Sequence, residues 1–450
     1  MRILLDQGVY DLRNMGNLAL LQVAEKRIRA MWPEATLDVI SSAPHLLRLY
    51  CPLARAITPD GAAYWANPAG IHDGILLQMP VPALRIALNV REFLRLGLPT
   101  VGLKLTRIGK DPLAQAKKNG ALHTQNGSRP HAVEAAATFQ PDAADPGGID
   151  VFVATGSQYI SDQCKDDAMR VLERLEIARK QGAVTAMVGQ GLGPFHDPEL
   201  RARVQGVLPG VDLILIRDAR TGGQILSSLG ICPSRVALTG DDAIEMSHQS
   251  RPASLGREIG VGFRIASYMG ISSRHIQVLR PVLKEATVKY RTRLRAIPIS
   301  ASLHEVDSRS LGQLIDGRSR GRVAGHLLNS PLGTMKNVGR CRIVVTSTFH
   351  PAVFALAQGI PVVALTFAGQ YLGKFQGLVD QFKGGCQIIR LDSEQFVPEL
   401  ERAIEVAWNS AEELHPQLLR SAEHMIQLGH VGYRRLFEVV ETALKGVRKS

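Results

Sequence analysis

Short apolar runs that read as strands alternate with stretches whose apolar residues recur every three or four positions, and the alternation holds through most of the chain. A chain patterned this way folds into parallel sheets wrapped by helices, because parallel neighbours need a crossover long enough to hold a helix. The first unit shows the pattern: residues 2–5 read as a strand, Asn14-Met15-Gly16-Asn17 as part of the loop after it, and Leu21, Ala24, Ile28 and Met31 as one face of a helix stopped by Pro33. Residues 37–40 read as the next strand. The connecting loop is thereby placed at the carboxyl edge of the sheet, where open α/β sheets bind ligands.

The same reading gives strands at 149–154, 183–188, 213–216 and 236–238 with helices between them. A polar stretch at 250–257, holding Pro252 and Gly256, separates these from a second series of strands at 259–263, 296–300, 342–345, 361–365 and 387–389. Two apolar-periodic helices, within 397–410 and 417–444, end the chain. A length of 450 residues exceeds what one core ordinarily organises. The expectation is therefore α/β in two domains, residues 1–250 and 258–450. From about 104 to 148 the periodicity gives way to turn formers, such as Asn119-Gly120 and Asn126-Gly127, which reads as a flexible loop, lid or insertion.

Composition narrows the partners. No apolar run approaches the roughly 18 residues of a membrane span, and the apolar run at residues 3–5 is too short for a secretory signal, so a soluble cytoplasmic protein is expected. The five cysteines are scattered without a paired spacing, and no His, Cys, Asp or Glu cluster has metal-ligand spacing, so no metal is expected. A net charge of +12 favours anionic partners. The densest basic stretch (Arg280, Lys284, Lys289, Arg291, Arg293, Arg295) carries no nucleic-acid-binding pattern and reads as a solvated helix face, so no nucleic acid is expected.

The most informative segment runs from Arg342 to Leu365: a strand, the hydroxyl-rich turn Thr346-Ser347-Thr348, a helix with Pro351 read at its first position, a stop at Gly359 and a further strand. Free N–H groups and the helix dipole make such an opening an anion site, to which Ser347 or Thr348 adds a hydroxyl and beside which His350 can move a proton. From spacing alone, the alternative that these hydroxyls cap the helix and His350 serves a buried backbone group stands equally.

This arrangement resembles the polysaccharide pyruvyl transferase family, in which a strand ends in a Ser-x-Arg-x-His turn and the next helix ends in Gly-x-Pro. Gly189-Gln190-Gly191-Leu192-Gly193-Pro194 resembles its glycine-rich turn, and Arg217-Asp218-Ala219-Arg220-Thr221 its Arg-Asp-x-x-Ser/Thr motif. Asp241 stands where the family has an aspartate after a strand, and Val261-Gly262-Phe263-Arg264 resembles its strand-plus-arginine. The resemblance implies two Rossmann-like domains of GT-B type facing each other across a cleft, with the acceptor on the first and the donor on the second. It implies phosphoenolpyruvate as co-substrate with no further cofactor, and a pyruvate ketal on a sugar of an exopolysaccharide or surface glycan as product. Two positions depart from the pattern: Thr348 stands for its arginine and Asn17 for its aspartate.

Such a donor carries a carboxylate and a phosphate, for which Arg217 and Arg264, each directly after a strand, are the candidate ligands together with Lys374, Ser347 and Thr348. Ketal formation needs a general acid; His350 is the first candidate and His304 the second. Asn14 and Asn17 could hold acceptor hydroxyls or simply form the loop. Asp241 could also bind the acceptor, and Asp241 and Asp242 could act as base, although two aspartates after a strand more often cap the next turn. A lipid-linked glycan acceptor would bring the protein to the inner face of the membrane as a peripheral visitor. Two other readings share the pattern: a nucleotide-sugar glycosyltransferase of the same shape, and a non-catalytic sugar or phosphate binder.

Overall fold

The computed structural model describes residues 1–59, 78–97, 148–302, 307–316, 330–367 and 369–447. Candidate His304 and, apart from Gly148, the segment expected to be a loop at 104–148 lie outside these residues.

Two parallel sheets are formed. The first contains β1 (Arg2–Asp6), β2 (Thr36–Ile40), β3 (Arg55–Ile57), β4 (Val151–Ala154), β5 (Ser157–Ile160), β6 (Val184–Leu192), β7 (Leu213–Ile216) and β8 (Val236–Leu238). Its order is β3-β2-β1-β4-β6-β7-β8, with β5 paired to the far end of β6. The chain winds outward in both directions from β1, and the order reverses between β1 and β4. The second sheet contains β9 (Glu258–Gly262), β10 (Leu294–Ala296), β11 (Cys341–Thr346), β12 (Val362–Thr366) and β13 (Cys386–Arg390), in the order β10-β9-β11-β12-β13. Here the reversal falls between β9 and β11. Such reversals open a crevice at the carboxyl ends of the strands.

Three differences from the sequence reading have physical causes. Gly189-Gln190-Gly191-Leu192, expected as a turn, is the end of β6, held by pairing with β5 and β7, with an irregularity against β7 at Gly189, whose φ is 60°. The turn comes later, at Gly193-Pro194. Pro351 is the third residue of its helix, Phe349–Ala357, not the first, because Thr348 is the N-cap. The two expected terminal helices are one, Phe396–Val447, with Pro416 inside it.

That last helix joins the halves. Leu400, Ile404 and Ala407 pack against one face of the second sheet, Leu418 and Ala422 against the other beside Phe354 and Phe382, and Tyr433, Leu436 and Val440 enter the core of the first sheet with Leu18 and Leu21. At 1.5 Å per residue its length of 52 residues spans about 78 Å, enough to cross both sheets. The helix Met15–Met31 is shared in the same way: Leu18, Leu21 and Ile28 face the first core, Ala19 and Leu20 the second. A backbone clasp reinforces it, with Met15 N–H donating to Ile299 O at 2.9 Å and Ala301 N–H to Arg13 O at 3.0 Å.

Half of the basic stretch is paired. Lys289 meets Glu405 at 2.9 Å, and Arg293 and Arg295 both meet Glu258. Among the described residues no helix is long and apolar enough to cross a membrane.

Candidate active site

The carboxyl ends of β7, β8, β9 and β11 hold Arg217, Asp241, Arg264 and Ser347 respectively, each one to three residues past its strand. The helix Phe349–Ala357 starts between the sheets and is buried throughout, so its first residues meet groups from the first half. Gly262 at the end of β9 permits this approach: a Cβ there would lie 2.6 Å from Thr346 Oγ1 and 2.8 Å from Pro351 Cγ.

His350 crosses the interface. Its ring lies on Gly16, where a Cβ would come within 2.0 Å of Nδ1, so only glycine leaves room for the imidazole. The Asn14 side chain accepts from Gly16 and Asn17 N–H, which caps the helix Met15–Met31 and aims its positive end toward the ring. Phe349 and Phe354 flank the ring at centroid distances of 5.6 and 6.0 Å. Nε2 is buried with no hydrogen-bond partner among the described residues. Burial first, then the charges of Arg217, Lys374 and Arg264, push the imidazole down to about 3, so it is neutral at pH 7.

Arg217 is buried, and each face of its guanidinium is engaged. It lies 4.3 Å above the Phe349 ring, packs against Gly191, donates to Gln158 Oε1, and approaches Asp241 Oδ2 at 3.7 Å. Its carbonyl accepts from Gln381 at 2.7 Å. Lys374, on the helix Gln370–Phe382, is partly buried with Nζ 4.4 Å from the Tyr371 ring centre. Burial and the nearby Arg217 push its amine down to about 7. Arg217, Asp241, Phe349, Lys374 and Gln381 line one small pocket.

Arg264 is oriented by Asp307, which accepts from Nε at 2.6 Å and from Nη2 at 3.3 Å. The same carboxylate accepts from Ile299 and Ser300 N–H, both at 2.8 Å, so it ties the arginine to the clasp between the halves. Ser347 is fully buried, with its hydroxyl accepting from Arg264 N–H at 3.4 Å. The Thr348 hydroxyl lies 3.2 Å from Thr346 Oγ1, which accepts from Thr348 N–H at 3.0 Å. These hydroxyls therefore hold the turn. Asn17 accepts from Ser157 Oγ at 3.2 Å.

The structure thus gathers Arg217, Arg264 and Lys374 about His350, and Asn14 and Asn17 at the helix start beneath it. Gly16, Asp307, Gln158 and Gln381 were missed in the sequence. Gly16 alone left a signal, a glycine at the turn after the first strand.

Residues 14–367 match the model of the polysaccharide pyruvyl transferase family. The chain belongs to that family. Among curated protein sequences no match is found. Of the solved structures, a Listeria monocytogenes protein assigned as a UDP-N-acetylglucosamine 2-epimerase is similar with 11% identity and a TM-score of 0.52, covering 99% of this chain and 97% of that one. The UDP-GlcNAc 2-epimerase of Neisseria meningitidis, solved with UDP-GlcNAc bound, has 11% identity and a TM-score of 0.50, covering 99% and 100%. At these identities the likeness is one of fold. Two Rossmann-like domains with parallel sheets facing each other across a cleft make this a GT-B type transferase fold.

Proposed function

We propose that this pyruvyl transferase family member moves a pyruvyl group from phosphoenolpyruvate to two hydroxyls of a sugar on a glycan, forming a cyclic ketal and releasing phosphate. The observation that carries the reading is the convergence of Arg217, Arg264 and Lys374 on His350 at the mouth of a buried helix N-terminus. Three carboxylates, Asp307, Asp241 and Asp218, accompany these cations. Asp307 is committed to Arg264 and to the Ile299 and Ser300 N–H groups, and Asp218 accepts from the Thr221 N–H. This leaves Arg217 and Lys374 as the pocket-lining cations that a small, doubly charged donor would meet.

The resting imidazole is neutral first because it is buried and then because cations surround it; a dianion beside it opposes the second effect and raises its affinity for a proton. His350 then gives a proton to the methylene carbon of the donor, and the double-bond electrons form the C–H bond. The neighbouring carbon becomes cationic and is attacked by one sugar hydroxyl. The C–O bond to phosphate breaks with its electron pair, and the second hydroxyl closes the ring. Of the two protons given up by the hydroxyls, one restores His350 and the other leaves with phosphate.

The second half supplies the donor side in this reading, and the first half, through Asn14, Asn17 and Asp241, the acceptor side. A lipid-linked glycan would place the reaction at the inner face of the membrane.

The test is phosphate release from phosphoenolpyruvate with glycan acceptors, alongside melting in the presence of phosphoenolpyruvate or nucleotide sugars. Release should depend on both substrates, and His350→Ala should slow it by about 10²–10⁴-fold. Stabilisation by a nucleotide sugar and none by phosphoenolpyruvate would assign the cleft to glycosyl transfer instead.

A further inference from the structure

Two aspartates stand in succession after β8, and their surroundings divide them. Asp242 is fully engaged: its Oδ1 accepts from Arg27 Nη1 at 2.7 Å, and its Oδ2 from the Tyr433 hydroxyl at 2.9 Å. Arg27 also reaches Glu245 Oε2 through Nη2 at 2.7 Å and Nε at 3.0 Å, and lies 4.7 Å from the Tyr433 ring centre. This network clamps the helix Met15–Met31, the helix Ala243–Gln249 and the terminal helix together. Asp242 is therefore a structural member.

Asp241 is only 3% exposed, yet one of its oxygens is free. Oδ1 accepts from Ala243 N–H at 3.0 Å, whereas Oδ2 has no hydrogen-bond partner among the described residues. Its closest cation is Arg217 Nη1 at 3.7 Å, longer than a hydrogen bond. Buried polar atoms nearly always find partners, so an unpaired carboxylate oxygen asks for an explanation. Here it borders the pocket lined by Arg217, Lys374 and Phe349, where a hydroxyl can meet it. The charged groups facing it are Arg217, Lys374 and Asp218 across the pocket and Asp242 beside it. Burial and Asp242 raise its carboxyl, Arg217 and the Ala243 N–H oppose them, and the result is about 6. It is thus ionised at pH 7 but a stronger base than an exposed aspartate.

We infer that Asp241 is the general base of the transfer, its Oδ2 taking the proton from the acceptor hydroxyl as that oxygen bonds to the donor's cationic carbon. The inference rests on the pyruvyl-transfer reading above. Lys374 does not suit the role, because a bound anion holds its amine protonated, and His350 is committed to the donor's methylene. The proton received by Asp241 passes to the departing phosphate, which returns the carboxylate to its starting state.

The experiment compares the full-length protein with Asp241→Asn, which keeps shape and the Ala243 contact but removes the base. Phosphate release should fall by about 10²–10⁴-fold, while the rise in Tm on adding phosphoenolpyruvate stays at the wild-type value. Turnover within threefold of wild type overturns the assignment. So does parallel loss of the Tm rise, which would make Asp241 only a prop for Arg217. If the asparagine variant does not melt cooperatively, Asp241→Glu takes its place, with its carboxylate displaced by one methylene; the same outcomes decide. Failure of the parent reading is a different result: the wild-type protein itself would neither release phosphate from phosphoenolpyruvate nor be stabilised by it.

Discussion

Replacing Gly16 by alanine puts a methyl carbon 2.0 Å from Nδ1 of His350, where ordinary contact begins at 3.4 Å. The deficit is about 1.4 Å in an interior packed like a crystal, so the ring moves, or the halves part. Backbone strain adds nothing, since Gly16 is the second residue of a helix and alanine is favoured there by about 1 kcal/mol. Overpacking costs about 1–3 kcal/mol. The net is a loss of about 0–2 kcal/mol, so Gly16→Ala should still fold, with a Tm at or a few degrees below wild type.

Activity responds differently. An acid displaced by more than an ångström loses about 10²-fold in rate. The Arg217 and Lys374 side chains belong to other elements and remain in place, so affinity for phosphoenolpyruvate should change little. The assay is phosphate release under saturating donor, paired with donor titration by calorimetry. A hundredfold fall in kcat at constant Kd supports the contact between the halves. Full turnover would show that the imidazole does not work from its seat on Gly16, and the acid would have to be sought elsewhere.

Lys374→Met removes a charge-assisted contact of about 1.5–3 kcal/mol, so donor affinity should weaken about ten- to hundredfold while the unliganded protein melts no lower; unchanged affinity would dismiss Lys374 as a donor ligand. Arg27→Met strands Asp242 and Glu245 in the interior, with an expected loss of about 3–5 kcal/mol in chemical denaturation and faster amide exchange near Tyr433; an unchanged midpoint would refute the clamp. His350 titrates near 6.5 when unfolded and near 3 when folded, so the unfolded chain binds more protons in that window and stability falls as pH drops through it. Asp241, raised from 3.8 to about 6, works in the opposite direction over part of the range. In His350→Gln, stability below pH 6.5 should therefore fall less steeply than in wild type, by up to about 1.4 kcal/mol per pH unit; parallel curves would mean that the ring is not held neutral.

The central strands were legible because each is a run of buried residues, mostly apolar, and the strand-end residues Arg217, Arg264 and Ser347 followed from them. The strand expected at 296–300 is instead β10, Leu294–Ala296, an edge strand whose half-buried Leu-Arg-Ala carries no apolar run. Short edge elements were not: β3 has three residues, and among the described residues β5 pairs only with β6, so neither imposes a period on the sequence. The unbroken helix Phe396–Val447 escaped notice because Pro416 reads as a stop, whereas packing of Leu418 and Ala422 against the second sheet carries the helix through it. The site was half legible. Chemistry-bearing types after strands announce themselves; Gln158, Gln381 and Asp307 matter only through what they touch, and contact between distant segments leaves no local pattern.

The two departures from the family pattern bear on one imidazole. Asn17 follows the glycine that seats the His350 ring, and Thr348 precedes His350 by two residues. Restoring the family residues would add a carboxylate and a guanidinium, so together the exchanges leave the net charge of the site unchanged. Each alone would not: an aspartate at 17 would oppose the donor and favour a protonated His350 before binding, and an arginine at 348 would do the reverse. With both positions neutral, the field at the ring is set by groups on other elements, Arg217 after β7, Arg264 after β9 and Lys374 on the helix Gln370–Phe382. These come from both halves, whose relative placement is fixed by the clasp at Met15 and Ala301 and by the terminal helix. The field at His350 is thereby a property of the interface between the halves, and in the proposed reaction a ligand that supplies negative charge there would favour the protonated ring.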